Sequence, residues 1–288
     1  MSTLAQLLVA GVVTGAIYAL IAAGYTVVYT ATGFVNFALG AQAMVAGYFV
    51  YVFLDGWSLP VRFAVSVGVS LLIAMVSWTL FYRFVTERDM LAAVIMSFGF
   101  AIVLQEIVRL AAGTSTLPAP SPFGDGSRHW GAVAVSDHSI GTVAVCAVLL
   151  ALLIAGFRSR RGASIRAIFQ DREMAEMLGI RTHLVTTTLF AVSGVLAAVA
   201  CVLIGPILSM SPSMGTRLAL IAFVGAVLGG LDRTETAVAG GVLLGVLEAL
   251  FAGYVSADYR TSLVFAVFVL VLVVRPAGVF RTAQKVKV

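Results

Sequence analysis

The chain has 288 residues, of which 61% are hydrophobic and 11% charged, and its formal net charge is +5. Soluble domains carry about 25% charged residues, so this composition excludes a water-facing globule and requires the bilayer as solvent. The 18 Lys and Arg residues lie between apolar runs and form no tract, which argues against a nucleic-acid binder.

The N-terminal apolar run continues to Tyr29 and has no basic n-region. It is too long for a signal h-region and reads as the first spanning helix. A spanning helix needs about 20 apolar residues. Segments at roughly 5–29, 34–54, 61–82, 91–112, 140–157, 185–207, 217–231, 236–255 and 261–275 meet or approach that length. The expected fold is therefore an all-α polytopic membrane protein, a single domain over 1–288 with eight or nine transmembrane helices. The fifth, seventh and ninth segments are short, and one of them is a candidate re-entrant half-helix.

Orientation follows the Lys/Arg bias of the loops. With nine alternating spans and the N-terminus outside, only Arg62, Arg109, Arg128, Arg217 and Arg260 of the 18 basic residues fall outside. This places the loop 113–139 outside, and the loop 158–184 and the tail 276–288 in the cytoplasm. The outer loop carries Pro118, Pro120, Pro122, Gly124 and Gly126, which favour turns and extended chain. It reads as a surface connector or as a docking surface for an external partner.

The inner loop has more punctuation. Arg158, Arg160 and Arg161 form a basic stop, and Ile165, Ile168 and Phe169 form an apolar stripe. Asp171 suits an N-cap, Arg172 to Leu178 about two helical turns, and Gly179 the C′ position. Glu173 lies near the positive end of that helix. The expected element is short and capped, with Met174, Met177 and Leu178 offered to a partner or laid on lipid.

Polar groups at bilayer depth are functional candidates by default. Glu106 and Arg109 are three apart on one helix face and are placed to pair. Glu248 sits mid-span in 236–255, to bind a solute or hold a neighbouring helix. Asn36 and Gln42 lie near or within the second helix, where amides line a cavity or bond between helices. The pairs Gly229-Gly230 and Gly240-Gly241 flank Asp232-Arg233-Thr234-Glu235, as a tight hairpin, a hinge or a second partner contact. Tyr18, Tyr25 and Tyr29 read as packing or interface residues. Cys146 and Cys201 lie in apolar runs as packing residues, and His129, His138 and His183 are expected in loops on opposite sides, unable to form a metal cluster.

The stretch Arg166-Ala167-Ile168-Phe169-Gln170-Asp171-Arg172-Glu173-Met174-Ala175-Glu176-Met177-Leu178-Gly179-Ile180 resembles the cytoplasmic coupling loop of branched-chain amino acid ABC transporter permeases of the LivH type. The stretch Tyr18 to Tyr29 is similar to the family's first helix. Gly33-Phe34-Val35-Asn36-Phe37-Ala38-Leu39-Gly40 is similar to the start of its second. Ala226 to Gly230, Gly240 to Ala249 and Arg275-Pro276-Ala277-Gly278-Val279-Phe280 are similar to its late helices and ending. The resemblance covers nearly the whole chain in order. It implies a binding-protein-dependent importer subunit of a prokaryotic inner membrane, with a second, LivM-like permease subunit, two ATPase subunits and an external solute-binding protein. It implies that Arg166, Asp171, Glu173, Ala175, Leu178, Gly179 and Ile180 belong to the ATPase coupling loop. The expected path residues are Asn36, Gln42, Gln105, Glu106 and Glu248. The family's N-F-A-H-G-E becomes Asn36-Phe37-Ala38-Leu39-Gly40-Ala41, and its L-Q-N becomes Leu104-Gln105-Glu106. These departures leave open a cargo other than leucine, isoleucine or valine, such as urea, short amides or aromatic acids.

The sequence has no G-x-x-x-x-G-K-[ST] phosphate loop, and its only lysines are Lys285 and Lys287. ATP and Mg²⁺ are therefore expected on partner ATPase subunits, with no cofactor or metal in this chain. The rival readings are an ion-coupled secondary transporter using Glu248, a membrane enzyme and a passive channel.

Overall fold

The computed structural model describes residues 2–86, 89–124, 126–130, 133–275 and 279. Helix α1 spans Ser2–Thr32. Helix α2, Ala38–Tyr48, runs on into a π-helical turn at Phe49–Phe53. Helix α3, Leu59–Val76, does the same through Ser77–Tyr82 into α4, Arg83–Thr86. Then follow α5, Met90–Ala112; a two-stranded hairpin, β1 Ser127–Trp130 and β2 Val133–Ser136; and α6, Asp137–Arg158. The chain continues through α7, Arg160–Gln170; α8, Arg172–Met177; α9, Thr182–Leu208; α10, Met214–Gly229; α11, Thr234–Tyr254; and α12, Arg260–Val274.

Among the described residues six helices are long and apolar enough to cross a bilayer: Thr3–Thr32, Leu59–Val85, Met90–Ala112, Asp137–Arg158, Thr182–Leu208 and Thr234–Tyr254. Three shorter apolar helical segments accompany them, Ala38–Phe53, Met214–Gly229 and Arg260–Val274. The protein is thus an all-α polytopic membrane protein with a small β hairpin in one connection. Helices α1 and α9 form its buried centre, whereas α3, α5 and α6 bury little and present apolar side chains outward. A helix apolar on all sides is what lipid on one side and protein on the other select.

Small residues hold the centre together. Gly11 and Gly15 on α1 face Gly245 on α11, and Gly241, one turn earlier on α11, faces Ala19. A β-carbon at Gly245 would lie 2.3 Å from the Gly15 Cα, and one at Gly241 would lie 2.6 Å from the Ala19 Cα. Gly225 and Gly229 on α10 continue the seam against Gly241 and Ala237. Lipid supplies no hydrophobic drive between helices, so close backbone approach has to supply the packing energy.

Pro206 lies inside α9 and has no N–H for the Val202 carbonyl one turn earlier. The Tyr51 hydroxyl donates to that carbonyl at 2.6 Å, and His138 Nε2 lies 3.0 Å from the next one, Leu203. The helix ends at Leu208 and its C-cap, Ser209, has φ 60°. Leu117 and Met210 then exchange backbone hydrogen bonds at 2.9 and 2.8 Å, tying the 113–139 connection to the α9–α10 turn.

Several boundaries differ from the sequence reading. The fifth span is not short, because Ser136 caps it and the polar residues Asp137, His138 and Ser139 form its first turn. The second helix begins at Ala38 rather than 34, after Asn36 accepts a hydrogen bond from the Ala38 amide at 3.1 Å. Extended chain in the 113–139 loop is present as the hairpin. His138 and His183 are in first helical turns rather than loops, and the Trp78 indole donates to His183 Nδ1 at 3.2 Å. Both cysteines are buried and free. Most of the tail 276–288 lies outside the described residues.

Candidate functional site

One face of the chain gathers side chains from α2, α5, α10 and α12. Phe98 of α5 stacks on Phe37 at 4.2 Å between centroids. Phe37 meets Phe223 of α10 at 5.1 Å, and Phe223 meets Phe268 of α12 at 5.8 Å. This aromatic row crosses four elements and is partly exposed, with Phe98 at 41%. Seven residues along α5 from Phe98 is Gln105, and seven along α10 from Phe223 is Thr216. The Thr216 hydroxyl donates to Gln105 Oε1 at 3.0 Å. Seven residues are two helical turns, about 10 Å, so a polar tier lies above the aromatic row on the same face.

The polar tier continues at the adjoining ends of α11 and α12. Arg260 Nε lies 2.7 Å from Glu248 Oε1 as an ion pair, without the alignment of a hydrogen bond. Glu248 is 1% exposed and Arg260 27%. Tyr18 of α1 and Arg217 of α10 act electrostatically on the same group of side chains. Glu248 lies inside α11, six residues before Tyr254 at its end, with its second oxygen unpartnered among the described residues. Burying a carboxylate this deeply requires a paired cation, and Arg260 supplies it. Glu106 pairs with Arg109 at 2.5 Å, both half-exposed, and among the described residues no hydrogen bond or ion pair joins it to another candidate.

The amides of Gln42 in α2 and of Asn36 in the turn before it are a separate pair. Gln42 is fully buried, and neither its Oε1 nor its Nε2 has a hydrogen-bond partner. Asn36 uses Oδ1 in its turn and leaves Nδ2 unpartnered. The Phe37 amide donates to Ser97 Oγ of α5 at 3.1 Å, which fixes this turn beside the aromatic row. Among the described residues no hydrogen bond or ion pair joins the α2 amides to Glu248.

The 158–184 segment forms a second site. Ser159 ends α6 and caps α7 through the Gly162 amide at 3.3 Å. Ile168 is buried and Phe169 exposed, so the apolar stripe is divided between core and surface. Asp171 accepts from the Met174 amide at 2.9 Å and caps α8. At the other end Gly179 has φ +81°, its N–H reaches the Glu176 carbonyl at 3.0 Å, and the Ile180 N–H reaches the Ala175 carbonyl at 3.1 Å. This is a Schellman closure. Ala175 is buried, whereas Met177 and Leu178 are 82% and 73% exposed. The Glu176 carboxylate accepts from Thr182 at 2.5 Å and pairs with Arg172 at 3.4 Å. The Thr182 hydroxyl and Arg172 together hold that carboxyl below its ordinary range.

The sequence reading singles out Gln105 and Glu248 as path residues and takes Tyr18 for packing or the interface, but passes over Thr216, Arg260, Thr182 and the aromatic row as site residues. The repeated spacing of seven between Phe98 and Gln105 and between Thr216 and Phe223 was the available signal.

The family model described as "Branched-chain amino acid transport system / permease component" matches residues 7–274. The chain belongs to this family of permease components. It is 34% identical to the high-affinity branched-chain amino acid transport system permease protein LivH of Escherichia coli, over 96% of both chains. It is 33% identical to the corresponding BraD of Pseudomonas aeruginosa, over 98% of this chain and 97% of that one. A probable branched-chain amino acid transport permease protein of Methanocaldococcus jannaschii is 25% identical over 90% of this chain. The solved structure titled "PsaBC from Streptococcus pneumoniae in complex with Fab" shares the fold, with a TM-score of 0.52 at 13% identity over 93% of this chain and 91% of that one. Membership makes the chain a multi-pass inner-membrane permease subunit of an ABC importer, not an enzyme and not an ion-coupled carrier. ATP hydrolysis belongs to separate subunits.

Proposed function

We propose that this permease conducts branched-chain amino acids, or a closely related small amphipathic solute, along the face built from α2, α5, α10 and α12. The observation that carries this reading is the two-tier arrangement: a polar tier at Gln105 and Thr216, two turns from an aromatic row at Phe98, Phe37 and Phe223. An amphipathic zwitterion needs both surfaces, polar groups for its charged end and an apolar wall for its side chain. The face is half-exposed in the single chain, so a second, LivM-like permease subunit closes it. Gln42, Asn36 and Glu248 flank this face, and Glu106 with Arg109 forms an ion pair at its rim.

The reading takes nine spans, with the shorter α2, α10 and α12 crossing alongside the six long helices. It keeps the N-terminus and the 113–139 connection outside, and the 158–184 segment and the tail inside. The polar tier is then the outer one, facing an external solute-binding protein. The α8 element, with Asp171 and Gly179 as caps and Met174, Met177 and Leu178 exposed, is the handle for two ATPase subunits. Arg166, Glu173, Ala175 and Ile180 shape that handle, and Thr182 braces it to α9.

Kinetics of the assembled transporter test the path. Gln105→Leu is expected to raise KM for the cargo at least about fivefold. Phe98→Ala is expected to change the preference between branched and unbranched side chains. Unaltered KM and preference in both variants contradict this path.

A further inference from the structure

A second cavity, of about 470 Å³, opens where the end of α6, helix α7 and the 232–235 turn meet. It is away from the α2–α5–α10–α12 face. Its wall is apolar, formed by Ile154, Phe157, Ile165 and Phe169. Its rim is charged with both signs. Arg158 places two nitrogens on Glu235 Oε1, at 3.0 and 2.6 Å, and so links α6 to α11. Arg166 donates to the Phe157 carbonyl from the α7 side, and Asp232 and Arg233 close the rim from the turn. A guanidinium has five N–H donors and a carboxylate about four acceptor sites, so Arg166 and Glu235 retain capacity for a ligand beyond these contacts.

We propose that this cavity is a regulatory site for a zwitterionic amino acid with an apolar side chain, taken from the cytoplasm. The chemistry is complementary at each part. Arg166 and Arg233 hold the ligand carboxylate. Asp232 and Glu235 hold its ammonium. The four apolar side chains enclose a branched aliphatic group. A free phosphate would leave that wall unused and would face two carboxylates. The volume lies within the range of about 300–1,000 Å³ typical of small-molecule sites. Helix α7 leads directly into the Asp171-capped element, and a ligand bridging α7 to the α10–α11 turn fixes the two together. The ligand therefore slows transport when internal product accumulates.

This inference rests on the cytoplasmic placement and the cargo class proposed above. Two measurements on the transporter assembled with its partner subunits separate the claims. The first is equilibrium binding of labelled leucine in nanodiscs, without ATP or binding protein, competed with 4-methylpentanoate and inorganic phosphate. Saturable binding is expected that weakens at least about tenfold in Arg233→Gln and in Asp232→Asn. Competition by the amine-free acid or phosphate is expected to be at least about tenfold poorer. The second is the ratio of ATP-driven uptake in leucine-loaded and empty vesicles, a ratio that cancels any change in each variant's basal rate. The ratio should fall well below one for the parent chain and return towards one in both variants. Binding unaltered by either substitution, or uptake insensitive to internal leucine, overturns the regulatory site. Failure of ATP-driven leucine uptake in empty vesicles is a separate result and bears on the cargo.

Discussion

Glu248 and Arg260 lie 2.7 Å apart across the junction of α11 and α12, with the carboxylate 1% exposed. Tyr18 of α1 acts electrostatically on this pair from a third helix. Removing one member of a buried pair strands the other, at a cost of about 3–5 kcal/mol. Glu248→Gln keeps shape and loses charge. It is expected to reduce uptake at least about tenfold, and Glu248→Gln/Arg260→Gln to lose less than the two single losses combined. Additive losses in a double-mutant cycle of uptake and thermal stability would show that the two residues act independently.

Gln42 presents the opposite case, a fully buried amide with neither end hydrogen-bonded. A buried polar group left unpaired costs about 1–3 kcal/mol. Gln42→Leu is therefore expected to raise Tm while lowering uptake about tenfold. The stability cost is then retained for transport, because the amide finds its partner only during passage of the cargo. A variant that loses stability, or transports normally, contradicts a role in the path.

Gly179 adopts φ +81° with open space around the position of a β-carbon. A side chain there meets no neighbour, and the penalty is conformational, roughly 1–2 kcal/mol for an L-residue. Gly179→Val is expected to leave the amount of protein in the membrane unchanged but to uncouple ATP hydrolysis from uptake. The diagnostic quantity is the ratio of ATP hydrolysed to solute imported, which should rise several-fold. An unchanged ratio removes the capped element from the coupling route.

The Glu176 carboxylate joins α8 to α9 through Thr182 and is held below the ordinary carboxylate range by that hydroxyl and by Arg172. A depressed carboxyl stabilises the folded form above its unfolded value, and this contribution is lost as pH falls through the folded value. Protease protection of the 158–184 segment should therefore be level at neutral pH and decline only on acidification below the ordinary carboxylate range. Glu176→Gln should remove that acid dependence. Persistence of the same acid profile in the variant would assign it to another group.

The six long spans were legible because lipid imposes one demand, continuous apolar chain, and these helices meet it over their full length. That same uniformity hides which face of a helix is buried. Nothing in the apolar run 91–112 distinguishes Leu104, which is buried, from Ile102, which is 61% exposed. The α8 caps were legible at Asp171 and Gly179, because capping is local and residue-specific. The second half of the site was not, because Thr216–Gln105 and Glu248–Arg260 are contacts between helices and depend on how the bundle is wound. The π-helical turns at 49–53 and 77–82 and the start of α6 at Asp137 were missed for a related reason: tertiary partners and a Ser136 cap decide them, not hydropathy.

A path for ATP-driven amino acid import depends on ATP and on the partner subunits. The most direct measurement is uptake into vesicles carrying the chain with its genomic neighbours, comparing internal ATP with an ion gradient alone. The substrate panel would hold labelled branched-chain amino acids, urea, short amides and aromatic acids. Uptake of a branched-chain amino acid that requires both ATP and the external binding protein is the expected result. Uptake by this chain alone, driven by the ion gradient, would contradict it.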